Sequence, residues 1–214
     1  MKLFSYYRSS SAYRVRIVLN LKGIEHSIVP VNLLSQEHLS DEYRLRQPQG
    51  LVPSLKITGG DTIFQSGAII DYLEACDAQP KLTPTDQGAA VSVRTIVDII
   101  ACDIQPICNL RVLKYLTGTL GLSDQQKSTW YQHWVREGFN ALEKTVTGDK
   151  FCVGEQLTLA EVYLVPQIYN ALRFNVDMTA YPKIMRIYQH CNELTAFKMA
   201  KPEDQADSPS HQQG

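Results

Sequence analysis

Residues 3–21 determine the start of the fold and have the sequence LFSYYRSSSAYRVRIVLNL. The short apolar run at residues 3–6 predicts a β-strand. Val15, Val18 and Leu19 recur at i, i+3 and i+4, which predicts a helix over the last nine residues of the stretch. A strand that leads into a helix in this way is typical of a mixed α/β unit.

The next sixty or so residues continue this alternation of strands and helices. Gly59-Gly60 and Pro48 mark turns. The elements predicted after the first helix are a strand at 27–31, a short helix near 40–46, hairpin strands at 54–57 and 62–64, and a helix at 66–76. The resulting order, β-α-β-α-β-β-α, predicts a small α/β domain.

Helical periodicity replaces the strand-like runs after Pro84. Apolar residues at helical spacing indicate long helices at three places, around Val93 to Ile100, Trp130 to Leu142 and Leu159 to Val165. We therefore predict an α/β domain over residues 1–81 and an all-helical domain over residues 87–200. Residues 201–214 contain almost no large apolar side chain, which predicts a disordered tail.

The composition of the 214 residues excludes several classes of protein. Lys and Arg number 21 against 22 Asp and Glu, so the chain lacks the excess of cations that a general nucleic-acid binder needs. Five cysteines without a Cys-x-x-Cys pair and five histidines without metal-ligand spacing predict reduced thiols and no metal site. With no signal peptide or membrane-spanning run in the sequence, we expect a cytoplasmic protein.

Three consecutive serines, Ser9, Ser10 and Ser11, stand between the first strand and the first helix. Their hydroxyls and backbone N–H groups can stabilise an anion, because first-turn amides lack partners within the helix and the helix dipole is positive there. The alternative is a purely structural cap, since serine is a favoured N-cap residue.

Two further segments of the first half have the groups needed to bind a ligand. A cis bond between Val52 and Pro53 would expose the Val52 backbone to an extended ligand, whereas a trans proline would simply open an edge strand. Gln65 and Ser66 begin the last helix of the domain, where an amide, a hydroxyl and N–H groups suit an amino-acid-like ligand. Ser66 could equally act only as a cap.

The helical half contains one strong structural motif and one candidate binding residue. Thr158 and Glu161 have the spacing of a capping box, with Leu157 placed for a hydrophobic staple. Arg173 follows near the end of the same predicted helix, either as a solvated charge or as a side chain that faces a site. Motifs typical of hydrolases, dinucleotide-binding folds, P-loops and zincins are absent from the sequence.

Taken together, these segments occur in the order and spacing of a glutathione transferase. The chain resembles the zeta class in particular through Ser9-Ser10-Ser11-x-x-Arg14-Val15-Arg16, Ile104-Gln105-Pro106, Asn109-Leu110 and Asn170-Ala171-Leu172-Arg173-Phe174. This class includes maleylacetoacetate isomerases and bacterial maleylpyruvate isomerases. The resemblance implies a thioredoxin-like N-terminal domain, an all-α C-terminal domain and a homodimer.

The resemblance also implies that glutathione is the cofactor and that matching residues bind it. Val52 pairs with the cysteinyl backbone of glutathione beside a cis Pro53, while Gln65 and Ser66 hold its γ-glutamyl end. The other positions that match glutathione contacts are Arg14, His38, Gln105 and Asn109.

For the chemistry, the resemblance implies that one of Ser9, Ser10 and Ser11 stabilises the glutathione thiolate, and Ser9 is the first candidate. Addition of that thiolate to a cis double bond makes the bond single and free to rotate, and elimination then returns the trans product. Arg8 and Arg173 match positions that bind the substrate carboxylates. The implied activity is therefore isomerisation of a maleyl keto acid to the fumaryl form, in tyrosine and phenylalanine catabolism or a related pathway.

Two departures from the class pattern keep the substrate open between maleylacetoacetate and maleylpyruvate. Ser11 replaces a cysteine common in the class, and Tyr13 replaces a frequent tryptophan. Two alternative functions are a glutathione transferase that conjugates electrophiles and a non-catalytic interaction module of the same fold.

Overall fold

A four-stranded mixed sheet lies at the centre of the first half of the chain in the computed structural model, which describes residues 1–76 and 78–211. The strands are β1 (Lys2–Ser5), β2 (Ser27–Pro30), β3 (Ser54–Lys56) and β4 (Thr62–Phe64), in the order β2-β1-β3-β4. β1 is parallel to β2 and antiparallel to β3, and β3 pairs with β4 as the predicted hairpin. This arrangement confirms the predicted α/β domain.

Three helices accompany the sheet within this part of the described chain: α1 (Ser10–Leu21), α2 (Asp41–Arg46) and α3 (Ser66–Ala75). α1 and α3 pack against each other, and Leu3 of β1 and Leu55 of β3 are fully buried. The predicted start of α1 at residue 13 is wrong by three residues, because the polar run before it is the cap and first turn of the helix.

The second half is helical, as predicted. Its α-helices are α4 (Gln87–Asp98), α5 (Gln105–Cys108), α6 (Leu110–Gly118), α7 (Asp124–Thr145), α8 (Leu159–Arg173) and α9 (Pro182–Glu193). α8 is buried along most of its length and begins with the predicted capping box. No helix in the described part of the chain is long and apolar enough to cross a membrane.

A π-helical segment, Ile99–Ile104, follows α4 and was not predicted. The Gln105 N–H donates to the carbonyl of Ile100, five residues earlier, which widens the helix locally. Gly138 of α7 lies against this segment, and a Cβ atom there would come within 2.3 Å of Ile104 Cδ1. A search for apolar residues at the 3.6-residue period does not detect such a widening.

The predicted disorder of the tail is wrong for residues 201–211. After α10 (Thr195–Ala200), two 3₁₀ turns follow at Pro202–Asp204 and Pro209–His211, and the intervening Gln205 is buried. The described residues from Glu193 to His211 belong to the same compact unit as Met1–Lys81, and Leu82–Asn192 forms the other unit. Hydrogen bonds and short turns hold this tail, so its lack of large apolar residues did not predict its structure correctly. Residues 212–214 lie outside the described residues.

Candidate active site

The register of the sheet brings three of the predicted segments to one end of the first unit. Ser54, the first residue of β3, pairs with Phe4 near the end of β1 and with Phe64 at the end of β4. The turn after β1 carries the serines, Val52-Pro53 immediately precedes β3, and Gln65-Ser66 immediately follows β4. These three candidate ligand-binding segments therefore lie at the same edge of the sheet.

Ser9 is the N-cap of α1. Its backbone N–H donates to the Tyr6 carbonyl at 2.9 Å, and its Oγ accepts a hydrogen bond from the Ala12 N–H at 3.2 Å. The structural alternative is thus confirmed for Ser9, but it does not exclude a second role. Capping uses Oγ as an acceptor, so the hydroxyl proton of Ser9 can be donated to an anion.

The start of α1 is also electropositive. The first turn contains no acidic residue, and the N–H groups of Ser10 and Ser11 form no hydrogen bond with other described residues. Ser10 is buried and Ser11 is half-buried. Two N–H donors and the positive end of the helix dipole therefore add to the Ser9 hydroxyl at this point.

Arg8 belongs to the same turn and is held by two aromatic side chains. Its Nη2 donates to the Tyr6 hydroxyl at 3.4 Å, and its Cζ lies 5.1 Å from the centre of the Tyr7 ring. The side chain is half-buried. Guanidinium groups bind carboxylates through paired N–H donors, so this position suits a carboxylate ligand.

Arg14 and Ser66 meet between α1 and α3. Arg14 is 2% exposed, and its Nη1 donates to Ser66 Oγ at 3.5 Å. Ser66 is the first residue of α3, and the N-cap is Gln65, so Ser66 is not the cap that the sequence offered as an alternative. Gln65 has a φ of 71°, in the left-handed region, and its side-chain amide donates to Gln49. A buried cation thus lies beside a hydroxyl at the positive end of a helix.

The Val52–Pro53 peptide bond is cis, as the resemblance implies. The Val52 side chain packs against a cluster formed by Phe4, Val31 and Tyr43. The backbone N–H and carbonyl of Val52 form no hydrogen bond with other described residues. One donor and one acceptor are therefore available to the backbone of an extended ligand.

His38 lies in a 3₁₀ turn, Glu37–Leu39, and is half-buried. The loop packs on Gly50, where a Cβ atom would lie 2.9 Å from the His38 carbonyl and where φ is 62°. This packing places His38 beside the segment that leads into Val52. Glycine is required at position 50 because both the space and the backbone conformation disfavour a side chain.

Residues 1–24 contain five cations, Lys2, Arg8, Arg14, Arg16 and Lys22, and no acidic residue, which in the sequence alone indicates a positive patch. In the structure these cations do not act together. Arg16 is buried and hydrogen-bonds Ala200, Ser5 and Tyr7. Lys22 pairs with Glu74 at 2.7 Å and is likewise buried. These two of the five cations have structural partners, and Arg8 and Arg14 are the ones that lie beside the candidate site.

In the second unit, Arg173 ends α8 and lies near two aromatic rings. Its Nη2 donates to Asn170 Oδ1 at 3.3 Å, and its Cζ lies 4.7 Å from the centre of the Phe174 ring. Phe174 in turn stacks on Tyr131, with ring centres 3.9 Å apart. Burial raises the pKa of Tyr131, and Arg173 opposes this rise. The aromatic pair around Arg173 was not predicted, because stacking between α7 and the end of α8 leaves no local sequence pattern.

The other two candidates of the second unit lie close together in the chain. Gln105 begins α5, and Asn109 caps α6, with its Oδ1 accepting from the Val112 N–H at 3.1 Å. The cap leaves the amide NH₂ of Asn109 as a donor.

Three cysteine thiols are unsuited to act as nucleophiles. Burial raises the pKa of Cys108 to about 12, and burial also raises the pKa values of Cys152 and Cys191. A nucleophile has to be a thiolate, and these side chains remain protonated at neutral pH.

Comparison with known proteins agrees with this geometry. Residues 3–81 match the family model of the glutathione S-transferase N-terminal domain, and residues 131–195 match the model of the C-terminal domain. A maleylacetoacetate isomerase of Pseudomonas aeruginosa is 41% identical over 212 residues, covering 98% of this chain and 100% of the relative.

Solved structures give the same result. The holo structure of a maleylpyruvate isomerase, described as a bacterial zeta-class glutathione transferase, has a TM-score of 0.94 and 41% identity, covering 97% of this chain and all of the other. A maleylacetoacetate isomerase from Methylobacterium extorquens with bound malonate and glutathione has a TM-score of 0.94 and 31% identity, covering 98% and 100%. The chain therefore belongs to the zeta class of the glutathione S-transferase family.

Proposed function

We propose that this protein is a glutathione-dependent cis–trans isomerase that converts a maleyl keto acid to its fumaryl form. The observation that carries the proposal is that one edge of the sheet brings together the Ser9 turn, the Val52 backbone and the Arg14–Ser66 pair. The N–H and carbonyl of Val52 form no hydrogen bond with other described residues. Relatives that align with nearly the whole chain are named maleylpyruvate isomerase or maleylacetoacetate isomerase.

The residues at this edge fit the chemical groups of glutathione. Val52 offers a backbone N–H and carbonyl that can pair with a peptide. Ser66, with the Arg14 guanidinium behind it and the start of α3 around it, suits the γ-glutamyl carboxylate. Gln65 and His38 border these groups, and we assign both to the glutathione site, with Pro53 holding Val52. Gln105 and Asn109 of the second unit are proposed as further contacts.

Glutathione supplies the thiolate nucleophile when it is bound. Ser9 can donate its hydroxyl proton to that sulfur while it still caps α1. The N–H groups of Ser10 and Ser11 and the positive end of the helix favour the charged form of an acid at this point. Ser11 stands where class members commonly have cysteine, and because the nucleophile comes from glutathione, isomerisation does not require a protein thiol there.

The substrate carries carboxylates, and two arginines are assigned to them. Arg8 lies on the Ser9 turn, one residue from the thiolate donor. Arg173 is exposed at the end of α8 and is held by Asn170 and the Phe174 ring. Guanidinium groups bind carboxylates with two parallel hydrogen bonds, which orients the double bond as well as holding it.

The proposal extends to the substrate, the cellular location, the oligomeric state and the pathway. We propose maleylacetoacetate as the first substrate to test and maleylpyruvate as the second, because the names of the relatives give these two substrates and both contain a maleyl group. We further propose a cytoplasmic homodimer that acts in tyrosine and phenylalanine catabolism.

Conversion of maleylacetone to fumarylacetone with catalytic glutathione tests the proposal. We expect many turnovers for each glutathione present, and unchanged total glutathione at the end. No turnover, or loss of one glutathione for each product formed, contradicts it. Parallel assays with maleylpyruvate and with a chlorinated acid separate the two isomerase substrates from conjugation.

A further inference from the structure

The tail of the chain folds back onto the helix and turn that carry the candidate catalytic groups. In α10, the carbonyl of Ala200 accepts a hydrogen bond from Arg16 Nε at 3.0 Å, and the carbonyl of Ala196 accepts one from Asn20 Nδ2 at 3.1 Å. Both donors belong to α1. The segment after Glu193 is therefore a structural part of the first unit.

The peptide groups of Tyr7 are held from two sides. The Tyr7 N–H donates to Asp207 Oδ2 at 2.9 Å, across 200 residues of sequence. The Tyr7 carbonyl accepts from Arg16 Nη2, also at 2.9 Å. Each bond has one charged partner, and such bonds are stronger than those between neutral groups.

Both partners of Tyr7 are themselves fixed in place. Arg16 is 1% exposed, and it also donates to Ser5 Oγ and Ala200 O. Asp207 lies two residues after Gln205, which is 4% exposed and donates to the Met199 and Lys201 carbonyls at 2.9 and 2.8 Å. The contact between Asp207 and Tyr7 thus joins two rigid parts of the unit, since the groups on either side of it are buried and hydrogen-bonded.

Tyr7 is the second residue of the turn that delivers Arg8 and Ser9. The turn closes with the bond from the Ser9 N–H to the Tyr6 carbonyl, so a rotation of the Tyr7 peptide moves both following residues. The position of a thiolate donor matters strongly, because displacements of about 1 Å at a reacting group can reduce a rate about a hundredfold.

We propose that Asp207 is a positioning residue for the active-site turn, and that together with Arg16 it sets the place of the Ser9 hydroxyl. Asp207 itself touches neither substrate nor cofactor in this role. The inference rests on the proposed function, because it assigns the purpose of the turn to ionising bound glutathione. It gives the tail a part in catalysis that neither the sequence nor the family resemblance indicated.

The test compares three variants of the full chain: Asp207→Ala, Asp207→Asn and Asp204→Ala. Asp204 is exposed in the same tail, and among the described residues its only hydrogen bond is a backbone one, to Lys201, so it is the matched control. Asparagine at position 207 keeps a side-chain oxygen that can accept from the Tyr7 N–H. Urea unfolding of each variant confirms that it folds.

For Asp207→Ala we expect kcat to fall about tenfold and the pKa of the bound glutathione thiol, followed by thiolate absorbance against pH, to rise by about one unit. Measured well below the pKa of the bound thiol, where glutathione binds in its protonated form, the dissociation constant of glutathione should change less than about twofold, since Val52 and Ser66 lie on other segments. Asp207→Asn should keep most of kcat, and Asp204→Ala should match the wild type. A wild-type kcat and thiol pKa in Asp207→Ala, or an equal loss in Asp204→Ala, would overturn the proposal.

Hydrogen–deuterium exchange of the peptide that covers residues 6–9, without ligand, separates this inference from the proposed function. Faster exchange in Asp207→Ala than in the wild type supports the positioning of the turn, and unchanged exchange overturns it. If the wild type neither isomerises maleylacetone nor ionises glutathione, the proposed function fails, and the exchange result alone then decides whether Asp207 positions the turn.

Discussion

Arg14 Nη1 lies 3.5 Å from Ser66 Oγ, although the two residues are 52 positions apart in the chain. This contact joins the first helix of the first unit to the last helix of its α/β part, next to the end of β4. A buried guanidinium at this place makes the start of α3 more positive than its helix dipole alone. The pair therefore forms a carboxylate-binding corner, the part of the proposed site that holds the γ-glutamyl end of glutathione.

Ser66→Ala should weaken glutathione binding without changing the chemistry. The variant removes the hydroxyl but leaves Ser9, so we expect the KM for glutathione to rise about tenfold and kcat to change little. Steady-state kinetics with glutathione as the varied component measure this. The control is Ser92→Ala, whose hydroxyl donates to the Gly88 carbonyl within α4 and which should behave as the wild type.

Ser9→Ala should remove both functions of this hydroxyl. We expect kcat to fall by about a hundredfold or more and the free energy of unfolding to fall by about 1 kcal/mol from the lost cap. Ser123→Ala is the matched control, since Ser123 caps α7 with the same 3.2 Å hydrogen bond but lies in the second unit. It should lose similar stability and keep its activity. Equal activity in the two variants would contradict a catalytic role of Ser9.

Arg173→Met should affect the keto acid and not glutathione. Loss of the guanidinium removes a charged hydrogen-bond donor, so we expect kcat/KM for maleylacetone to fall about tenfold to a hundredfold at an unchanged KM for glutathione. Arg186→Met, in which an exposed arginine of α9 loses its ion pair with Asp149, is the control. A parallel rise in the KM for glutathione would instead place Arg173 at the cofactor.

The buried thiol of Cys108 should make stability depend on pH in the alkaline range. Its folded pKa of about 12 is above the ordinary value of 9.0. Below pH 9 both states keep the proton. As pH rises further, the unfolded chain ionises first, so the free energy of unfolding falls, by about 1 kcal/mol at pH 10 for this group.

Urea unfolding at pH 8 and pH 10 measures this decrease. Tyr131, Cys152 and Cys191 also have raised pKa values and add to it. The quantity to compare is therefore the decrease in the wild type against that in Cys108→Ala. The variant should lose less stability between the two pH values, and an identical decrease would show that Cys108 does not contribute.

Glu161→Ala should destabilise the second unit strongly. The fully buried carboxylate accepts from the Cys152 N–H at 2.6 Å and from the N–H and hydroxyl of Thr158 at 2.7 and 2.9 Å. Removing it leaves these donors without a partner, and we expect a loss of about 3 kcal/mol. Glu155→Ala, at an exposed position in the loop before α8, should change the free energy of unfolding by less than about 0.5 kcal/mol.

Local patterns in the sequence were sufficient to predict most of the secondary structure. The alternation of short apolar runs with helical spacing predicts the order of strands and helices in the first half, and Thr158 with Glu161 predicts the capping box of α8. Both depend on residues within one or two turns of each other. In the second half, α5, α6, α9 and α10 were not predicted individually. The π-helical segment was missed because Ile99–Ile104 is too short for its wider period to be distinguished from that of an α-helix in the apolar pattern.

The serines, the Val52-Pro53 pair and Gln65-Ser66 were likewise identified as candidates from the sequence and its resemblance to the zeta class. Each has a structural alternative that the residues alone could not exclude. The structure shows that Ser9 does cap α1 and that Ser66 is not the cap of α3. It also removes Arg16 and Lys22 from the positive patch, because both have structural partners.

The sequence by itself therefore determined the class of fold, the family and the chemical types in the site, since these depend on short-range pattern and spacing. Tertiary structure alone decided which distant residues meet. The contacts of Arg14 with Ser66 and of Asp207 with Tyr7 span 52 and 200 residues. Contacts at such separations arise from the pairing of strands and the packing of helices, and they leave no periodicity in the chain from which they could be predicted.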